Sequence, residues 1–153
     1  MLEKQQNFGI KMENNLIEKY IQHNYFGKLL GMCFEVQSPG VINYFLKVKQ
    51  EHLATPHAAH GGVISALADA ALGVAGLSLV ADDNKVVSTV EYKLHFMSPA
   101  LAGDDLVASA KVIHRGKRIL IIECDIRAAN RENVLLAKGL GTFNAYEATK
   151  AGY

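Results

Sequence analysis

From Gly61 to Ala81 the chain runs almost without a polar side chain. Val63, Ile64, Leu67, Leu72, Val74, Leu77, Leu79 and Val80 stand there with only alanine, glycine and two serines between most of them. A helix that is apolar on every side has to be enclosed by other parts of the fold. Its length approaches that of a membrane span, but glycines interrupt it, and the stretch reads as the core helix of a domain with no membrane contact. Asp69 is its one charged residue. A buried carboxylate without a partner costs several kcal/mol or stays protonated. Asp69 therefore needs a structural partner or a chemical role.

The remainder of the chain narrows the classes. Its 153 residues make about one domain, long enough to bury a core. Half are hydrophobic and 20% are charged, as in ordinary globular proteins. A net charge of +1, with both signs scattered, gives no footprint for nucleic acid. Glu3, Lys4, Lys11 and Glu13 open the chain with no apolar run, so no export signal is expected. Cys33 and Cys124 are far apart, with no C-x-x-C, which suits free thiols in a reducing cytoplasm.

Residues 1–23 read as a polar leader followed by a short helix, capped by Asn14 or Asn15 and carrying Leu16, Ile17, Tyr20 and Ile21 on one face. The segment from Asn24 to Gly27 is expected to stop it. Residues 24–147 read as one domain, and 148–153 as a frayed tail. Strands are expected at about 29–37, 41–49, 85–96, 105–114, 119–128 and 134–145, with the long helix between the second and third. On the third, Val90, Tyr92, Leu94 and Phe96 should share one face, and Thr89, Glu91, Lys93 and His95 the other. The sum is an α+β fold: an antiparallel sheet of five to six strands packed on one long helix. One sheet leaves part of the helix and the sheet edges uncovered, which a second copy of the chain would cover most simply.

Gly61 and Gly62 permit close approach at the helix start, where unpaired N–H groups and the positive end of the dipole favour a developing negative charge. Such donors suit an oxyanion; equally, two glycines can serve tight packing alone. Asp69 lies about 12 Å further along the axis at 1.5 Å per residue. A site using both is more easily built from two subunits. Asp69 can then hold and deprotonate water or attack directly, or be a structural acid bonded by Ser65 one turn earlier. His52, His57 and His60 lack the spacing of a metal site, so no metal is expected, and His60 reads as a loop-ordering or capping residue. Walker, dinucleotide and G-x-S-x-G loops are absent. Arg115, Lys117 and Arg118 cluster at a hairpin that can be an anion site or merely a solvated turn.

His60-Gly61-Gly62-Val63-Ile64-Ser65-Ala66-Leu67-Ala68-Asp69 resembles the H-G-G-x(6)-D signature of hotdog-fold acyl-CoA thioesterases of the phenylacetate-pathway (PaaI-like) type. Phe26 to Gly31, Phe96 to Ala100 with Gly103-Asp104, and His114 to Lys117 resemble further segments of that family in the same order. The resemblance implies a sheet wrapped around the helix, a homodimer with two interface sites, often a dimer of dimers, and hydrolysis of an acyl-CoA without a cofactor. It assigns the Gly61 N–H to the thioester carbonyl, with His60 and Gly62 beside it in the motif. Asp69 of the partner becomes base or nucleophile, and Thr89 the holder of the water. Arg115, Gly116 and Lys117 fall near the nucleotide end of coenzyme A. One position departs: relatives commonly carry Asn or a similar polar residue where this chain has Ala54. Either His52, Thr55 or His57 supplies that contact, or the site is slow, or the protein binds acyl-CoA without turnover. A hotdog dehydratase is a weaker alternative, having no matching His and acid pair.

Overall fold

The computed structural model describes residues 15–153. The leader and Asn14 lie outside the described residues. Helix α1 spans Asn15–His23 and is followed, without a strand, by a second short helix, α2, Tyr25–Leu29. Helix α1 ends at His23 as expected, and the second helix, which was not expected, is started by Asn24. Its side-chain oxygen accepts the Gly27 N–H at 3.0 Å, and a Cβ on residue 27 would overlap the Asn24 side chain. Strand β1 consequently begins at Cys33 and not near Leu29.

Six strands follow in all: β1 Cys33–Ser38, β2 Val41–Lys47, β3 Lys85–Phe96, β4 Asp105–Arg115, β5 Ile119–Ala128 and β6 Val134–Glu147. Every neighbouring pair is antiparallel, and the order across the sheet is β1-β2-β4-β5-β6-β3. The long helix α3, Gly61–Val80, links β2 to β3 and so crosses the sheet from near one edge to the other. Alternation along the strands supplies the wall behind it: Tyr44 and Leu46 of β2, Leu106 and Ala108 of β4, and Ile122 and Ile126 of β5 are all buried.

Small residues bring α3 close to that wall. A Cβ on Gly76 would stand 3.1 Å from Ile122 and 3.3 Å from both Leu120 and Val87. Leu67, Ala68, Ala71, Leu72 and Ala75 face the sheet with no exposed surface. The helix has the length and hydropathy of a membrane span, yet most of it is buried against its own sheet. It is not buried all round. Gly62 is exposed, and Ser65, Ala66, Asp69, Ala70 and Gly73 are only half-buried, forming a stripe of small side chains that the sheet leaves open.

The last residues are ordered by contacts where fraying was expected. A 3₁₀ turn, Ala148–Ala151, buries Ala148 against Leu16, Ile17 and Val86, and the Tyr153 ring stands edge-on to His23 at 6.1 Å.

Candidate active site

The start of α3 is set by His60. Its Nδ1 accepts the Gly62 N–H at 2.8 Å, making the imidazole the helix N-cap. A Cβ on residue 62 would lie 2.8 Å from that same nitrogen, so the cap requires glycine there. Gly61 differs: it is exposed, and a Cβ would meet only the Phe96 ring at 3.7 Å. Its N–H belongs to the first turn, which has no intrahelical acceptor, and it borders a shallow cavity of about 300 Å³ with Phe96, Met97 and Pro99.

The loop before His60 is stiffened by its own polar groups. His52 is buried, its Nδ1 accepts the Lys49 N–H at 3.1 Å, and its carbonyl accepts the His60 N–H at 2.8 Å. The Thr55 hydroxyl accepts the Ala58 N–H at 3.0 Å. Of the three side chains able to stand in for a polar residue at Ala54, His52 is buried with its Nδ1 engaged, while Thr55, whose hydroxyl accepts one bond and can still donate, and His57 are exposed. The three histidines do not converge. Among the described residues no group of three or more His, Cys, Asp or Glu side chains gathers as a metal site would.

From outside the loop, Asp104 and Arg131 brace the turn after β3. The Asp104 carboxylate, nearly buried, accepts the Leu101 N–H at 2.8 Å and the Arg131 guanidinium at 2.9 Å; the same guanidinium donates to the Pro99 carbonyl at 2.8 Å. That turn hands its Ala100 carbonyl to the Ala59 N–H at 2.9 Å, one residue before His60. Neither Asp104 nor Arg131 was singled out from the sequence as bearing on the site.

Asp69 sits on the open stripe of α3, half-buried and not enclosed. Its partner is Thr89, not Ser65: the Thr89 hydroxyl donates to Asp69 Oδ1 at 2.7 Å. Ser65 contributes its carbonyl, which accepts the Tyr92 hydroxyl at 3.3 Å. Strict alternation would put Thr89 and Tyr92 on opposite faces of β3. A bulge resolves this. Thr89 pairs with Phe143 and Glu91 with Thr142, so Val90 is the extra residue, and both hydroxyls reach α3.

Beyond the Asp69–Thr89 pair opens a second cavity of about 340 Å³, running between α3, β3 and β6 toward α1. Tyr20 lines it. Its phenol is held protonated far above the ordinary range, chiefly by burial, with the neighbouring Tyr44 and the Asp69 charge adding to the effect.

Gly61 and Asp69 are both in place on α3 but point to separate cavities in one protomer. Arg115, Gly116 and Lys117 are not brought beside either. Arg115 pairs with Asp83 just past the far end of α3, about 21 Å along the axis from Asp69. Gly116 closes a tight connection through its N–H to the Ile119 carbonyl at 2.8 Å, and Lys117 is exposed.

Comparison with known proteins identifies the family. Residues 57–135 match the family model described as the thioesterase superfamily. A candidate esterase of Archaeoglobus fulgidus is 33% identical over 92 residues, covering 60% of this chain and 57% of that protein. The acyl-coenzyme A thioesterase PaaI of Escherichia coli is 30% identical over 116 residues, covering 73% of this chain and 77% of its own. The solved structure of E. coli PaaI superposes with a TM-score of 0.77 at 23% identity, over 85% of this chain and 90% of that one. A thioesterase from Streptococcus pneumoniae solved with coenzyme A has a TM-score of 0.68 at 21% identity, over 76% and 86%. By its matching segment, its sheet wrapped around one helix and its likeness to PaaI, the chain belongs to the thioesterase superfamily, in the PaaI-like branch with the hotdog fold.

Proposed function

We propose that this protein hydrolyses the thioester of an acyl-CoA to a free carboxylic acid and coenzyme A, at a site shared by two copies of the chain. The observation that carries the reading is the Asp69 carboxylate held by Thr89 at 2.7 Å on the open face of α3, at the mouth of a cavity. The PaaI likeness and the coenzyme A seen in the S. pneumoniae protein support the substrate class.

Gly61 from one subunit directs its N–H at the thioester carbonyl oxygen. Asp69 from the other takes a proton from water as the water oxygen bonds to the acyl carbon; the carbon–sulfur bond breaks, and the proton passes to the departing thiolate. Attack by Asp69 itself, through an anhydride that water then opens, uses the same residues. Thr89 fixes the carboxylate and lies where it can also touch the water. One N–H aimed at the oxyanion is worth about 2.7–4 kcal/mol of barrier. A site using both is more easily built from two subunits, because one helix holds Gly61 and Asp69 about 12 Å apart. The open edge of β3, with Val90 and Phe96 exposed along it, is the surface for the second copy; a dimer of dimers follows if the sheet backs also meet. On the hairpin, Arg115, Gly116 and Lys117 are the candidate contacts for the nucleotide end of coenzyme A, with exposed Lys117 the side chain best placed to pair with phosphate. The cytoplasm is the expected compartment.

Ala54 favours a second reading, acyl-CoA binding without turnover, because alanine has no polar group and the nearby His52 is buried with its Nδ1 accepting the Lys49 N–H. Free-thiol release from acetyl-, octanoyl-, phenylacetyl- and palmitoyl-CoA, with Asp69→Ala alongside, separates the two. Turnover lost in the variant supports hydrolysis as described. Equal rates in both proteins refute the role of Asp69. Saturable binding with no thiol released by the wild type supports the second reading.

A further inference from the structure

Gly73 lies one helical turn beyond Asp69, on the same face of α3. Glycine inside a helix weakens it relative to alanine, so its presence calls for a reason. Backbone conformation is not the reason, since Gly73 is not among the residues with positive φ. Close packing is not the reason either: a Cβ there would meet only Phe143, at 3.6 Å, an ordinary contact, whereas Gly76 is crowded from three sides. What the missing side chain leaves is room, and the room is part of the cavity that begins at Asp69 and Thr89.

The cavity wall is mixed, with Asp69, Ser88, Thr89 and three tyrosines beside an apolar part. Val74 and Leu77 come from α3, Val86 from β3 and Phe143 from β6, all buried. Leu16 and Tyr20 of α1 and Tyr153 of the last turn also line it. The Tyr20 hydroxyl is engaged with Asn24 at 3.1 Å, with the neighbouring Tyr44 in the same cluster, which leaves its ring as the surface toward the cavity. We propose that this cavity receives the acyl group, that it selects an acyl group of medium size, and that Gly73 is the residue that determines how much of it is open. The volume of about 340 Å³ accommodates about ten heavy atoms at about 30 Å³ each. An octanoyl chain or an arylacetyl group meets that limit; a palmitoyl chain exceeds it. This inference rests on the thioesterase reading for its substrate and names the substrate's acyl half.

The test compares the full-length wild type with Gly73→Ala, Gly73→Val and Tyr153→Ala. Thiol release is measured from acetyl-, octanoyl-, phenylacetyl- and palmitoyl-CoA, and calorimetric binding from the non-hydrolysable thioether octyl-CoA. Wild-type kcat/KM should peak at octanoyl- or phenylacetyl-CoA, and which of the two leads tells an aliphatic from an aromatic preference. In Gly73→Val the ratio of kcat/KM for octanoyl-CoA to that for acetyl-CoA should fall about tenfold or more, as expected when a hydrophobic pocket loses room for one or more methylenes. Gly73→Ala should show a smaller fall without a loss of melting temperature, and Tyr153→Ala a shift toward palmitoyl-CoA. Unchanged ratios in both Gly73 variants overturn the proposal. Should the wild type release no thiol from any substrate, the hydrolytic reading fails on its own. Octyl-CoA affinity then decides the cavity: weakening in Gly73→Val supports it, and equal affinity overturns it.

Discussion

Removing the Thr89 hydroxyl tests the centre of the site with the least disturbance around it. Thr89→Val keeps the β-branched shape that suits a strand and deletes only the donor to Asp69 Oδ1 at 2.7 Å. Thr89 is exposed and Asp69 half-buried, so water replaces the lost bond in the resting protein, and stability should change by no more than about 0.5 kcal/mol. Catalysis has more to lose. A hydrogen bond to a charged group is worth about 1.5–3 kcal/mol where water cannot substitute for it. With substrate covering the mouth of the cavity, that condition is met. At 1.36 kcal/mol per factor of ten, kcat should fall about ten- to a hundredfold.

The assay is thiol release with kcat and KM resolved separately, together with a thermal melt. A loss in kcat, with KM within about threefold and the melting temperature unmoved, fits a residue that orients the carboxylate in the transition state. Thr89→Ser should recover most of the rate, because serine presents the same donor. If Thr89→Val turns over within about twofold of the wild type, or if serine is as poor as valine, the hydroxyl is not orienting Asp69 and the reasoning fails.

Two further outcomes follow from the packing. Arg131→Met removes the guanidinium that ties Asp104 to Pro99, leaving the nearly buried Asp104 carboxylate with the Leu101 N–H alone; the cost of about 1.5–3 kcal/mol should lower the melting temperature by about 3–12 °C, and a variant that melts with the wild type would show that the brace contributes nothing. Burial holds the Cys124 thiol protonated, pushed up to about 12 from an ordinary 9.0. The folded protein therefore keeps a proton that the unfolded chain releases, so this contribution to stability is full below pH 9.0 and is lost as pH rises toward 12. Denaturant unfolding across pH 8–11 should show stability falling by up to about 1.4 kcal/mol per unit above pH 9, and Cys124→Ala should flatten that slope; an unchanged slope would assign the alkaline loss to other groups.

Much of the fold was legible because its main signals are periodic. The apolar run of α3 and the alternation along β5 and β6 follow directly from enclosure of a helix by one face of a sheet. The misread segments are those where one side chain decides. Asn24 does end α1, as residue type suggests, but it also acts as the cap that starts α2, with Gly27 fitting that cap, and residue type alone gives no sign of this second helix. Residues 148–153 carry no pattern of their own, and they are ordered by the burial of Ala148, the Ala148 N–H donating to the Asn84 carbonyl at 3.0 Å and the Tyr153–His23 contact.

The site shows the same division more sharply. Asp69 stood out because a charge in an apolar helix demands an explanation, and His60 because a polar residue before Gly-Gly reads as a cap. The partner of Asp69 could not be read from spacing, since Ser65 on the same helix is nearer in sequence while Thr89 reaches it from another element. Alternation argues against Thr89, placing it opposite Tyr92. Only the extra residue Val90 allows both side chains to face α3, and nothing in the composition of the strand marks where a bulge will fall. The bulge also lies on the unpaired edge strand, where an irregularity costs a ladder on one side only. Deleting Val90 would remove only the extra residue, leaving Thr89 and Tyr92 two places apart, so plain alternation would keep both on the α3 face with every site residue still in the chain. A folded Val90 deletion should therefore keep more of its kcat than Thr89→Val, and one as impaired as Thr89→Val would show that the bulge itself, and not the shared face alone, aims the hydroxyl.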